Sequence, residues 1–152
     1  MMTLSRLWIA ARSILSGWAA LFLITYLVER PLLIVTAHWL GASWFPTARL
    51  GLDCTALAAT GWTVGRLHRS APVLAVLAFA ATLLFRDFDP LLGLNVPWLI
   101  RLAADAVRDS IYLESLAATA ASHALLLGSL IAGGLLSRPA PAPVSIVGDT
   151  LR

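Results

Sequence analysis

Glu29 and Arg30 are the residues of this chain whose setting most suggests chemistry, because they interrupt a long apolar run, "YLVERPLLIVTAHW" (26–39). A charge held among lipid-facing residues costs roughly a few kcal/mol unless it reaches water or a partner. Consecutive helical residues point about 100° apart, so these two are badly placed to neutralise each other. Each needs a partner from another segment. Asp53, near the start of the second apolar segment, and His123, about two turns into the last one, lie at a matching depth if the segments alternate in direction. Glu29, Arg30, Asp53 and His123 therefore form a candidate polar pocket opening outward, of the kind a small transporter or membrane enzyme would use. The competing expectation is plainer. Glu29, Arg30 and Asp53 lie at the headgroups, with Asp53 paired to Arg49 one turn away, and His123 bonds a neighbouring carbonyl.

Other patterns carry less. Ala120, Ala124, Gly128 and Ala132 recur every four residues, and Gly61 and Gly65 form a GxxxG. Small residues at this spacing let helix backbones approach closely where lipid gives no hydrophobic drive. They are helix-packing residues, expected to pack inside the bundle itself, with a dimer or partner face as the alternative. His38, His68 and His123 are the only histidines, too few at one level to frame a haem. "RDFDP" (86–90) offers Asp87 and Asp89 to a hard cation, but two carboxylates do not make a coordination shell. No nucleophile elbow and no phosphate-binding loop is present. Cys54 is the single cysteine, so no internal disulfide or CxxC can form. No catalytic residue, cofactor or metal site is expected.

Four apolar segments must position these residues: 7–40, 50–67, 71–85 and 116–136. A spanning helix needs about 20 residues at about 1.5 Å each. The second and fourth fit, the third is short, and the first is too long for one upright span. Two registers suit the first. Spanning 7–28, it leaves Glu29 and Arg30 at the outer headgroups. Spanning 14–36, it buries them, and Pro31 then costs the Leu27 carbonyl its helical donor and bends the helix. Trp39, Trp44 and Phe45 in the following link look like an interfacial aromatic belt. After Pro97, residues Arg101, Asp105, Arg108, Asp109 and Tyr112 recur at spacings of 3 and 4, with Leu99, Leu102, Ala103, Ala106 and Val107 largely opposite, which reads as an amphipathic surface helix. Arg6 and Arg12 before an apolar run resemble a signal peptide, but Glu29-Arg30-Pro31 precedes any cleavage-like site, so the first segment is expected to be retained.

Composition supplies the class. Of 152 residues, 59% are hydrophobic and only 12% charged, against about 25% charged in soluble domains. There are too few polar residues to coat a soluble fold of this size, so the natural solvent for the surplus is lipid. The net charge of +3 comes from arginines scattered between apolar segments, not gathered in a stripe, which excludes a nucleic-acid interface. The expected fold is all-α: a polytopic membrane protein with four transmembrane helices plus a short amphipathic interfacial helix, one domain over 1–136 and a disordered Pro/Ala-rich tail over 137–152. The expected setting is a bacterial cytoplasmic membrane with both termini cytoplasmic, since "GRLHR" is a short, purely basic loop and Arg6 and Arg12 flank the first helix. The expected role is that of a non-enzymatic accessory, assembly or interaction subunit, whose partners are the lipid bilayer and a second copy or another membrane protein.

Overall fold

The computed structural model describes residues 4–41, 43–84, 96–109, 111 and 113–137. Every regular element among them is helical: α1 (Leu4–Ile24), a π turn (Thr25–Glu29), α2 (Arg30–Trp39), α3 (Phe45–Leu67), α4 (Pro72–Leu84), α5 (Val96–Arg108) and α6 (Leu113–Leu136). The carboxylate pair at 86–90, Tyr112 and the tail from 138 onward lie outside the described residues.

The first apolar segment is one helical run, Leu4–Trp39, 36 residues long. Pro31 neither ends it nor breaks it. An unbroken α pattern would require a Pro31 N–H for the Leu27 carbonyl, and proline has none. The chain adapts one turn earlier, where the Arg30 N–H donates to the Thr25 carbonyl, five residues back, while Glu29 and Arg30 keep helical dihedrals. This widened turn has a consequence for facing. The buried residues of the run include Ser13, Gly17, Leu21, Thr25 and Glu29, each four apart. In a pure α-helix a four-residue step drifts by about 40°, so Glu29 would stand about 80° away from the face marked by Leu21. The extra residue taken up by the π turn cancels most of that drift and brings Glu29 onto the buried face.

Four helical units pack up and down. Ser16 on α1 meets His68 at the end of α3, so these two run antiparallel. Gly17 and Trp18 on α1 face Phe79 on α4, with the Trp18 and Phe79 rings edge to face at 5.8 Å. Val76 on α4 lies against Gly134 near the end of α6. The closest pair is α3 with α6. A Cβ added to Gly61 would strike the Leu130 carbonyl, one at Gly65 the Ser137 hydroxyl, and one at Gly133 the Ala58 carbonyl. The backbones therefore nearly touch, in the same direction. Leu57, Val64, Phe79 and Leu130, all fully buried, fill the centre.

The amphipathic helix after Pro97 is α5. Leu102 and Ala106 are buried and the helix packs on α6, while Arg101, Asp105 and Arg108 are exposed. Val107, expected on the apolar side, is exposed. Among the described residues two helices are long and apolar enough to cross a membrane: Leu4–Trp39 and Leu113–Leu136. The 23 residues of α3, which carry Arg49, Asp53 and Arg66, do not meet that measure, and α4 is apolar but only 13 residues long.

Candidate functional site

The structure divides the four candidate pocket residues into three settings. Arg30 is exposed, with its guanidinium 4.7 Å from the centre of the Tyr26 ring. Tyr26 is itself stacked on Phe22 at 4.9 Å, so this cation is held on the outer face of the helix by cation–π attraction. Arg30 does not join a pocket, and the 100° step between neighbours is the reason. Glu29 is 3% exposed. Asp53 and His123, both 5% exposed, lie on the buried faces of α3 and α6. Gly61 meets Leu130 and the helices run in parallel, so Asp53 and His123, about 12 Å and about 10 Å back along their helices, stand at one level. The His123 Nδ1 lies 2.8 Å from the Thr119 carbonyl, the local bond expected of it. Asp53 has Arg49 at 4.0 Å, one turn away, with Arg49 half exposed. At that length and exposure the pair contributes little, on the order of 0–1 kcal/mol.

Glu29 has no such support. It makes no hydrogen bond or ion pair among the described residues, and its buried Oε2 has no hydrogen-bond partner. The Thr25 Oγ1, one turn earlier on the same face, is likewise buried and unpartnered. Other helical threonines avoid this: Thr36, Thr55, Thr60 and Thr63 each donate to the carbonyl four residues back. A buried polar atom without a partner costs about 1–3 kcal/mol, so two in succession at a π turn mark a place where folding alone does not account for the residue choice. Glu29 also lines a groove of about 180 Å³ between the first helical run and α3. Val28 and Leu32 form one wall with Glu29, and Leu52, Thr55, Ala56 and Ala59 form the other. Val28, Leu32, Thr55 and Ala59 are exposed, so the groove opens on the outer flank of the bundle.

A second polar contact was not anticipated from the sequence. The Ser16 hydroxyl donates to the Ser13 carbonyl at 3.2 Å, which leaves its oxygen to accept from the His68 Nε2–H at 3.1 Å. Burial, and then the nearby Arg12 guanidinium, push the His68 pKa below its ordinary 6.5. The fold thus favours neutral His68. Above pH 6.5 neither folded nor unfolded chain carries the proton and nothing is lost. As pH falls below that value the unfolded chain takes up the proton first, and stability declines. Unfolding in detergent followed between about pH 8 and about pH 5 will show this decline, and His68→Gln will flatten it. An unchanged slope in His68→Gln would assign the decline to another group.

The small residues separate cleanly. Gly61 and Gly65 are buried at the α3–α6 contact. Ala120, Ala124, Gly128 and Ala132 are all exposed, and a Cβ added to Gly128 would meet nothing within 4 Å. The expectation that this second stripe packs inside the bundle is therefore corrected: α6 buries His123, Leu126, Leu130, Gly133 and Gly134 instead. Gly133 and Gly134, missed as packing residues, were legible as a "GG" near the helix end. His38, weighed as a haem ligand, is exposed and sits edge-on to Trp39. Among the described residues, no three His, Cys, Asp or Glu side chains are grouped to hold a metal ion. No protein family, curated protein or solved structure matches the chain.

Proposed function

We propose that the chain is a four-span membrane protein whose role is lateral assembly, as a non-enzymatic accessory or interaction subunit that docks through the outward face of α6. The four spans are the first helical run, α3, α4 and α6. Support comes from their up-and-down packing and from the solvent-facing surface, where Leu15, Phe22, Leu77, Leu125 and Leu135 are among many exposed large apolar side chains. At about 20 Å, α4 is shorter than a hydrocarbon core of about 30 Å and requires local thinning or snorkelling flanks. Arg6, Arg12, Arg66 and Arg69 all lie near the end where α1 begins and α3 ends, which favours a cytoplasmic location for that end and for both termini.

The observation that carries the assembly reading is the exposed stripe Ala120, Ala124, Gly128 and Ala132. Such a stripe lets a second helix approach to backbone distance, and among the described residues its four members stay exposed. The partner tested first is a second copy. Single-molecule photobleaching in lipid bilayers will find wild-type chains associated, and Gly128→Leu will weaken that association by about tenfold, on the order of 1.4 kcal/mol. Since position 128 faces open space within the chain, the variant keeps its fold. A wild-type chain that stays monomeric in lipid, or a Gly128→Leu chain that associates as before, overturns the reading. A small transporter or membrane enzyme is the second reading. The observation favouring it is Glu29, which lines the groove, whereas Arg30 faces away and Asp53 and His123 lie on the buried faces of α3 and α6.

A further inference from the structure

We infer that the groove beside Glu29 is a binding site for a cationic amphiphile: a protonated amine on a single apolar chain or ring, entering sideways from the lipid. Three features point to this ligand. The groove wall is apolar except for Thr55 and one charged side chain, Glu29. Glu29 is buried, and its Oε2 has no hydrogen-bond partner, so an acceptor stands ready where an ammonium N–H would supply the missing donor. The nearest cation in sequence, Arg30, is held on the Tyr26 ring on the exposed side of the helix and does not neutralise Glu29. Charge complementarity therefore selects a cation, and the apolar walls select an apolar body.

Size and access narrow the class. A dry apolar cavity of about 150 Å³ suffices for benzene, so about 180 Å³ holds a ring or a short length of one alkyl chain beside the amine. It does not hold the paired chains of a diacyl lipid. The opening lies between helices rather than at a helix end, because Val28, Leu32, Thr55 and Ala59 are exposed on the flank. A ligand already dissolved in the bilayer reaches it without crossing the headgroups of the bundle end. The site is independent of the outward face of α6.

The test measures equilibrium binding of radiolabelled n-octylammonium to the full chain in phosphatidylcholine nanodiscs, with empty nanodiscs subtracted. Saturable binding at one site per chain is expected. Glu29→Gln, which keeps the side-chain shape, will weaken it at least about tenfold. Ala59→Leu will weaken it comparably by filling the groove from an exposed position, where the bundle has nothing to lose. Gly128→Leu will leave binding unchanged, so failure here is distinguishable from failure of the assembly reading. Equal binding by wild type and both groove variants overturns the site. Displacement by neutral n-octanol as effective as by the amine overturns the role of Glu29. Displacement by phosphatidylethanolamine assigns the site to a lipid headgroup and overturns the choice of a single-chain amine.

Discussion

Gly133→Ala will destabilise the bundle by about 3 kcal/mol, while Gly128→Ala, five residues away on the same helix, will not destabilise it at all. The added methyl at Gly133 meets the Ala58 carbonyl and lies 2.9 Å from the Ala58 Cα. Those are backbone atoms of a packed helix and cannot rotate aside. Overpacking of this kind costs about 1–3 kcal/mol, more where the obstacle is rigid. At Gly128 a Cβ meets nothing within 4 Å, and replacing an exposed helical glycine by alanine contributes up to about 1 kcal/mol of helix propensity. Unfolding titrations in detergent that holds the chain monomeric, followed by far-UV circular dichroism, will separate the two. Similar effects at both positions would mean that α3 and α6 do not approach through Gly133.

The second large effect is a coupling between Gly17 and Phe79. Phe79 is fully buried, with Trp18 against its edge. Phe79→Ala will cost about 2–3 kcal/mol. This lies below the about 3–5 kcal/mol typical of aqueous cores, because on the four-span reading lipid supplies little of the transfer term and leaves mainly lost packing. Gly17→Ala alone will cost about 1–3 kcal/mol, since its methyl enters the Phe79 ring, lying 2.8 Å from Cε2. The double variant will be no less stable than Phe79→Ala, because the methyl then enters vacated space. A double-mutant cycle will return a coupling of about 1–3 kcal/mol. Strict additivity would place Gly17 and Phe79 out of contact.

Lengths and periodicities made the helical elements readable in the sequence: the fourth segment, the short third one and the amphipathic helix after Pro97 appear close to their expected bounds, while the second begins five residues early, at Phe45, and takes up 45–47 of the expected link. The reason is local. Apolar run length and 3.6-residue spacing are properties of the segment itself. Facing was much less readable. Apolar and small residues lie on every side of α6, so hydrophobicity alone does not say which side is buried. Two sets of small residues compete on that helix, and only the register with Gly61 and Gly65 of α3 selects Gly133 and Gly134 over Gly128. The missing ion pair between Glu29 and Arg30 followed from helical geometry. Which of the two turns inward did not, because it depends on Pro31 acting one turn upstream of its own position. A clue was present in Ser13, Gly17, Leu21, Thr25 and Glu29, a four-residue series that an ideal helix could not keep on one face.

The π turn at Thr25–Glu29 stores a twist. It holds one residue more than an α turn would, so converting it to α geometry lengthens the helix locally by about 1.5 Å and swivels everything beyond it by about 100° relative to α1. Axial tension on α2, whose ten residues are none of them buried, and rotation of the Glu29 carboxyl away from α3 are therefore the same movement. On the four-span reading, a change in bilayer thickness that pulls on Trp39 acts on Glu29 as a torque.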